Sequence, residues 1–354
     1  MPNDASSPRR EPAIDLYDVA KTYRGKIHAL KGIAMKVDRG EIFGLLGPNG
    51  AGKSTLVKIM MTAVRPTLAE GKVLGQPIGH KPTLAQVGYL PEHHRFPPYL
   101  TGRQVLEHYA ALSKVDRHTR RVRSIEMLEL VGLKNWAKAK VGTYSKGMQQ
   151  RLGLAQAMTN DPELIVLDEP TDGLDPVGRR EIRSVLHGLR DRGTTVFLNS
   201  HLLSEVEHLC DRVAILVGGK VIRQGTLDEL TARSHAYEIE LQADMLPGDS
   251  FDRLRKAVRR ALPCEFQAAQ NERPPTPVGR IEIEAVPTER GTLDSGEAIE
   301  LDGTIVRIET SKAAAVQPVL DALRRADLTI HTVRPVRQSL EDFFIATVSD
   351  TPAS

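Results

Sequence analysis

The sequence predicts an α/β domain built on a largely parallel sheet, with a helical subdomain inserted into it and a small α+β domain after it. Three observations carry the prediction. Strand-like and helix-like stretches alternate to about residue 230, the pattern of a sheet wound with crossover helices. The central strand candidates, Ile42 to Leu46, Leu164 to Leu167 and Thr195 to Leu198, are short apolar runs without strict alternation, as expected for strands covered on both faces. After Leu230 the texture changes to alternation at Tyr237, Ile239 and Leu241. At 354 residues the chain is too long for one small domain and suits two. The expected division is a flexible polar tail over 1–12, a main domain over 13–232 with its helical subdomain at about 91–142, and an accessory domain over 233–354.

Taken in order, the strand Glu41 to Leu46 leads through a glycine-rich turn into the apolar helix Thr55 to Met61. Between Pro91 and Gly142 the pattern turns helical. Thr101 with Gln104 fits a capping box, and Val105, Leu106, Tyr109 and Leu112 follow as one apolar face. The accessory domain reads as a strand near Tyr237, a basic helix from about Phe251 to Leu262 and a polar, proline-rich loop over 265–280. Strands at Ile281 to Val286 and Thr304 to Glu309, a helix from Lys312 to Ala326, a strand at Leu328 to Val333 and a short helix holding Phe343 and Phe344 complete it. That β-α-β-β-α-β order is compatible with a ferredoxin-like split fold.

Composition bounds the function. Apolar residues never run unbroken for the roughly 18 positions of a membrane span, and the N-terminus lacks the apolar core of a secretory signal, so a cytoplasmic chain is expected. A formal charge of +3 lacks the footprint of a dedicated nucleic-acid binder. The basic run Arg117 to Arg123 reads as the solvated face of a helix carrying Val122, Ile125 and Leu128. Cys210 and Cys264 have no metal-ligand spacing and read as buried or idle thiols. The adjacent His93 and His94 read as a solvated pair, because loop neighbours cannot easily converge on one ion.

The chemistry begins at Gly47-Pro48-Asn49-Gly50-Ala51-Gly52-Lys53-Ser54, which matches G-x-x-x-x-G-K-[ST] between a strand and a helix whose first residue is Thr55. Its glycines let successive amides point inward at phosphates, and the helix N-terminus adds partial positive charge. Lys53 is placed to reach the β- and γ-phosphates and Ser54 to ligate Mg2+. The apolar strand Leu164 to Leu167 ends in Asp168 and Glu169. Asp168 is expected to hold the metal and Glu169 to orient or deprotonate an attacking water.

Further motifs narrow the field. Tyr144-Ser145-Lys146-Gly147-Met148-Gln149-Gln150-Arg151 resembles the signature of ABC ATPases. Thr171-Asp172-Gly173-Leu174-Asp175-Pro176 resembles their D-loop, and His201 their switch histidine. The resemblance covers about residues 13–230 and is nearest the ABC-2 type exporter subunits, whose common ending is similar to Ser339-Leu340-Glu341-Asp342-Phe343-Phe344. It implies a P-loop ATPase that binds ATP and Mg2+, stacks adenine on Tyr23 and senses the γ-phosphate with His201. It also implies that Ser145 and Gly147 act at the nucleotide of an opposite subunit and that Asp175 of the D-loop belongs to the nucleotide-binding set. The implied partners are an integral membrane permease, reached near Pro97 to Leu112, and a second ATPase subunit. The chain would then lie peripherally at the inner face of the membrane, held there only through the permease. Two positions depart from the family pattern: Lys146 stands where glycine is commonest, and Glu92 where a glutamine usually meets the metal. A carboxylate at Glu92 is read as a metal ligand. The alternatives are a soluble ABC ATPase moving a nucleic-acid machine, and a small-molecule kinase, which would give no use to Ser145, Asp175 or His201. The accessory domain would mediate dimerisation, bind a regulatory ligand or brace the ATPase pair.

Overall fold

The computed structural model describes residues 11–200, 202–231, 235–241, 267–268, 289–292, 298–302, 305–310, 313–326, 328–337, 340 and 344. The chain divides into two compact units, one of residues 1–230 with 344–354 and one of 231–343.

The first unit holds two sheets. In the larger, strands run in the order β10-β9-β3-β8-β7-β6. These are β3 (Ile42–Leu46), β6 (Val87–Leu90), β7 (Leu164–Asp168), β8 (Thr195–Asn199), β9 (Arg212–Val217) and β10 (Lys220–Thr226). All pairings are parallel except that of β10 with β9. Every residue of β3, β7 and β8 is buried, which explains their unbroken apolar sequences. Phe43 and Phe197 stack across β3 and β8 with centroids 6.0 Å apart.

The second sheet, β2-β1-β4-β5, is antiparallel throughout and was not anticipated from sequence. Its strands are β1 (Ile14–Tyr23), β2 (Ile27–Val37), β4 (Leu68–Val73) and β5 (Gln76–Pro77); exposed positions recur between covered ones along β2 and β4, so their apolar residues are diluted with polar ones. Helix α1 (Lys53–Met60) joins the sheets. Its Leu56, Val57, Ile59 and Met60 lie in one buried cluster with Ile14, Val19 and Ile33 of the small sheet and Phe43, Leu45 and Val166 of the large one. The turn before α1 is therefore anchored from both sides.

Helices α2 (Gly102–Leu112) and α3 (Arg117–Leu130) fill the segment between β6 and α4 (Lys146–Met158). The capping box forms as expected: Thr101 Oγ1 accepts from Gln104 N at 3.2 Å, and Thr101 N donates to Gln104 Oε1 at 2.9 Å. Val105, Leu106 and Ala110 are buried, but Leu112 is 66% exposed, because it is the last residue of its helix and lies beyond the packed stretch. On α3 only Leu128 of the expected apolar residues is buried, while Val122 and Ile125 face water. The remaining helices of this unit are α5 (Pro176–Asp191), α6 (Leu203–Leu209) and α7 (Leu227–Thr231). Helix α6 lies close on β3: a Cβ at Gly44 would come within 2.9 Å of Val206 Cγ1 and of Sγ of Cys210, which caps the helix. Cys210 is buried, and burial pushes its thiol far up from the ordinary value; Cys264 lies outside the described residues.

The second unit is a sheet in the order β12-β13-β14-β15-β11-β16 with antiparallel pairings. Its strands are β11 (His235–Leu241), β12 (Gln267–Ala268), β13 (Glu289–Thr292), β14 (Ala298–Asp302), β15 (Ile305–Glu309) and β16 (Ile330–Arg337). Helix α8 (Ala313–Arg325) packs Val316, Val319 and Leu323 on Ile239, Val306 and Ile308. Strands β14, β15, β11 and β16 are neighbours in that order, and α8 lies between β15 and β16 in the chain. The helix expected at 251–262 and the strand expected at 281–286 lie outside the described residues. Gln267 and Ala268, read as loop from sequence, pair with β13.

Candidate functional site

The turn after β3 is shaped by what its glycines must avoid. A Cβ at Gly47 would meet the Leu216 carbonyl oxygen at 2.3 Å, and one at Gly52, whose φ is 109°, the Ala29 oxygen at 2.5 Å. Gly50 also has positive φ, 81°. Ala51 N closes the turn on Pro48 O at 3.2 Å, while Asn49 is exposed and Ser54 and Thr55 are half-buried on the first turn of α1. Lys53, 9% exposed, donates its ammonium to the Gly47 carbonyl at 2.7 Å and to that of Pro48 at 3.2 Å. Burial lowers its pKa, against the pull of Glu169, Asp168 and Glu92. The ammonium thus sits within the field of all three acids named from sequence.

The acids sit at the carboxyl end of β7, where a parallel sheet opens its ligand crevice. Asp168 is buried and takes a hydrogen bond from Asn199 Nδ2 on the neighbouring strand. Burial raises its pKa, with the Asn199 bond opposing and Glu92 reinforcing the rise. Glu169 has a left-handed backbone, φ 53°, and its surroundings hold it there. Its N–H donates to the Asn199 carbonyl at 2.9 Å, and its carbonyl accepts from Asp172 N at 3.3 Å and from Gln150 Nε2 at 3.0 Å. Its Oε2 accepts from Ser200 Oγ at 3.3 Å. Asn199, Ser200 and Gln150 were missed in the sequence. A polar residue closing a buried strand was the available signal for Asn199; Gln150 stood inside the signature-like run, with nothing in it to give that residue a role of its own.

Glu92 follows β6 with an exposed side chain, 3.6 Å from His93 Nδ1. His93 is solvated as expected, but His94 is not. It is half-buried between the Pro91 carbonyl (3.3 Å) and the Gln149 carbonyl (3.1 Å) and packs on Phe96. Among the described residues no group of three or more His, Cys, Asp or Glu side chains could hold a metal ion.

Ser145, Gly147 and Asp175 form a second group on α4 and the turn before α5. Ser145 is the N-cap of α4, accepting from Met148 N at 3.2 Å, and Asp175 caps α5, accepting from Gly178 N at 2.8 Å. The groups are locked to each other: a Cβ at Gly147 would stand 3.2 Å from Leu174 Cδ2, and Lys146 Nζ pairs with Asp172 at 2.8 Å. Ser145 and Asp175 are exposed. Tyr23 closes β1, 39% exposed, with Lys21 Nζ 4.9 Å from its ring centroid. His201 lies outside the described residues.

The pattern of the ABC transporter family matches residues 30–172. An ABC transporter ATP-binding protein of Bacillus subtilis is 34% identical over 338 residues, spanning 95% of each chain. The chain belongs to the ABC transporter ATP-binding proteins. This ABC ATPase is also similar to the Nod factor export ATP-binding protein I of Rhizobium etli, 40% identical over 222 residues that cover 62% of this chain and 69% of that one. Among solved structures it resembles a dimeric ATP-binding cassette in a post-hydrolysis state with ADP and Pi, at TM-score 0.56 and 28% identity, covering 60% of this chain and 98% of that one. No helix among the described residues of the ABC subunit is long and apolar enough to cross a membrane.

Proposed function

We propose that this ABC ATPase is the ATP-hydrolysing subunit of an exporter, working as a homodimer that sandwiches two ATPs and drives a separate integral membrane permease from the inner face of the membrane. The observation that carries the reading is the meeting of a phosphate-shaped turn, a buried Lys53 and the Asp168-Glu169 pair at the carboxyl end of the large sheet, together with an exposed, capped α4 N-terminus. The division at 13–232 and 233–354 then separates an ATPase cassette from an accessory domain.

In this reading residues 47–55 cradle the phosphates, with Lys53 exchanging the Gly47 and Pro48 carbonyls for phosphate oxygens, and Tyr23 stacks on adenine. Glu169 takes the proton of the attacking water, and His201 senses the γ-phosphate. Ser54, Asp168 and Glu92 offer oxygen atoms only, the donor type Mg2+ prefers, and phosphates complete such a shell, so a third protein carboxylate is not required. Bound there, the ion would neutralise developing charge on the phosphates. Ser145, Gly147 and Asp175 face the nucleotide of the partner subunit. Tyr99 and Leu112, 70% and 66% exposed, supply apolar surface on the helical subdomain where the permease would press. The nucleic-acid-machine alternative draws no support from relatives named as transporter subunits. A glutamine at position 169 removes the base while keeping the shape. Glu169→Gln is expected to bind ATP, turn over slowly and accumulate as a closed dimer in light scattering. Wild-type turnover in that variant would remove the base assignment.

A further inference from the structure

Gln150 is a buried polar side chain, 4% exposed, on the helix that begins at Ser145. Its amide crosses to the backbone of Glu169 and donates to the carbonyl at 3.0 Å. The same oxygen receives Asp172 N–H, so it is the point where β7, the turn toward α5 and helix α4 are tied together. One residue earlier, the Gln149 carbonyl accepts from His94, in the loop that carries Glu92. Helix α4 therefore grips both loops that present acids to the phosphate turn.

The backbone at Glu169 needs such a grip. A left-handed conformation costs a side-chain-bearing residue roughly 1 kcal/mol or more and persists only where its surroundings enforce it. Asn199 holds the N–H side of this residue, and Gln150 holds the carbonyl side with the shorter of its two bonds, so loss of either loosens the peptide and the direction of the carboxylate it carries. Ser200 Oγ adds a longer contact to the carboxylate, donating to it at 3.3 Å while accepting from Leu202 N–H.

We propose that Gln150 is a positioning residue for hydrolysis: through the Glu169 carbonyl it sets the carboxylate's direction, and it makes that direction depend on helix α4. The proposal rests on the paired-ATPase reading, in which the N-terminus of α4 meets the partner's nucleotide. Nucleotide seated on Ser145 of one subunit would then steady the base of that same subunit, which acts on the other nucleotide.

The test uses the full chain with Gln150→Met, which keeps length and apolar bulk but cannot donate, and Gln150→Glu, which keeps shape and places an acceptor against the carbonyl. Turnover is measured against ATP concentration, and each substitution is also combined with Glu169→Gln to follow ATP-dependent dimerisation. Loss of one neutral hydrogen bond should lower kcat about five- to tenfold. The KM for ATP and the ATP concentration giving half-maximal dimer should stay within about twofold, since the α4 cap and the phosphate turn are untouched. Unchanged kcat in both variants overturns the proposal. So does dimerisation that weakens in step with kcat, since that marks a loosened helix and not a misdirected base. Should Glu169→Gln alone stay monomeric with ATP, the paired reading falls while the kcat of Gln150→Met still decides the positioning role.

Discussion

At Asp168 two effects oppose each other. Burial lifts the carboxyl's pKa and the Asn199 amide pulls it down, leaving it above the ordinary value of 3.8. A raised folded value means that the ionised acid is a cost to the nucleotide-free fold near neutrality, relieved as pH falls through that value. Asn199→Ala removes the charge-assisted bond, so the metal-free protein should lose about 2 kcal/mol near neutral pH. The deficit should shrink in mild acid as Asp168 takes up its proton. Thermal melts with EDTA at both pH values check this, and an equal deficit at both refutes it. The residues readable in the sequence were those whose meaning is local. Lys53 follows its glycines directly, and Asp168 and Glu169 end an apolar run. Asn199 and Gln150 act on partners 31 and 19 positions away, and no spacing rule links such residues before the chain has folded.

Elements show the same division. Strands β3, β7 and β8 were legible because burial on both faces leaves an unbroken apolar signature, and the start of α2 because its cap is written in four residues. The antiparallel sheet was not, since half-solvated strands such as β2 dilute their pattern with Lys31 and Lys36. Leu112, Val122 and Ile125 fit a helical period yet stay exposed, for periodicity states which residues share a face and not whether anything covers it. In the second unit Glu238, 6% exposed on central strand β11, takes hydrogen bonds from Arg307 on β15 and Arg334 on β16. Burial alone would raise its pKa, but the two guanidinium groups outweigh burial and hold it below the ordinary 4.5. Glu238→Ala should cost about 2 kcal/mol in urea unfolding. This contribution is complete above the ordinary glutamate value and is lost as pH falls through the lowered one. A difference between wild type and variant that fades already near neutrality would contradict the pairing.

For the whole molecule, the proposed composite site predicts complementation. Lys53→Ala disables the site on its own turn, and Ser145→Arg disables the one facing the partner. Neither purified variant should hydrolyse ATP. Mixed together they form dimers with one intact site, built from the Lys53 of one chain and the Ser145 of the other, so hydrolysis should return in the mixture. A mixture as inactive as its components would refute the shared site. At this scale the family was legible because its motifs are contiguous and ordered, whereas the ties between them are distributed through the fold. The left-handed peptide at Glu169 occurs in each copy, and glycine or asparagine would occupy it with less torsional cost. On the proposed role of Glu169 as the base, durability and power output favour different amino acids at one position, and a population of variants selected only for surviving heat would drift toward sturdy assemblies that no longer run.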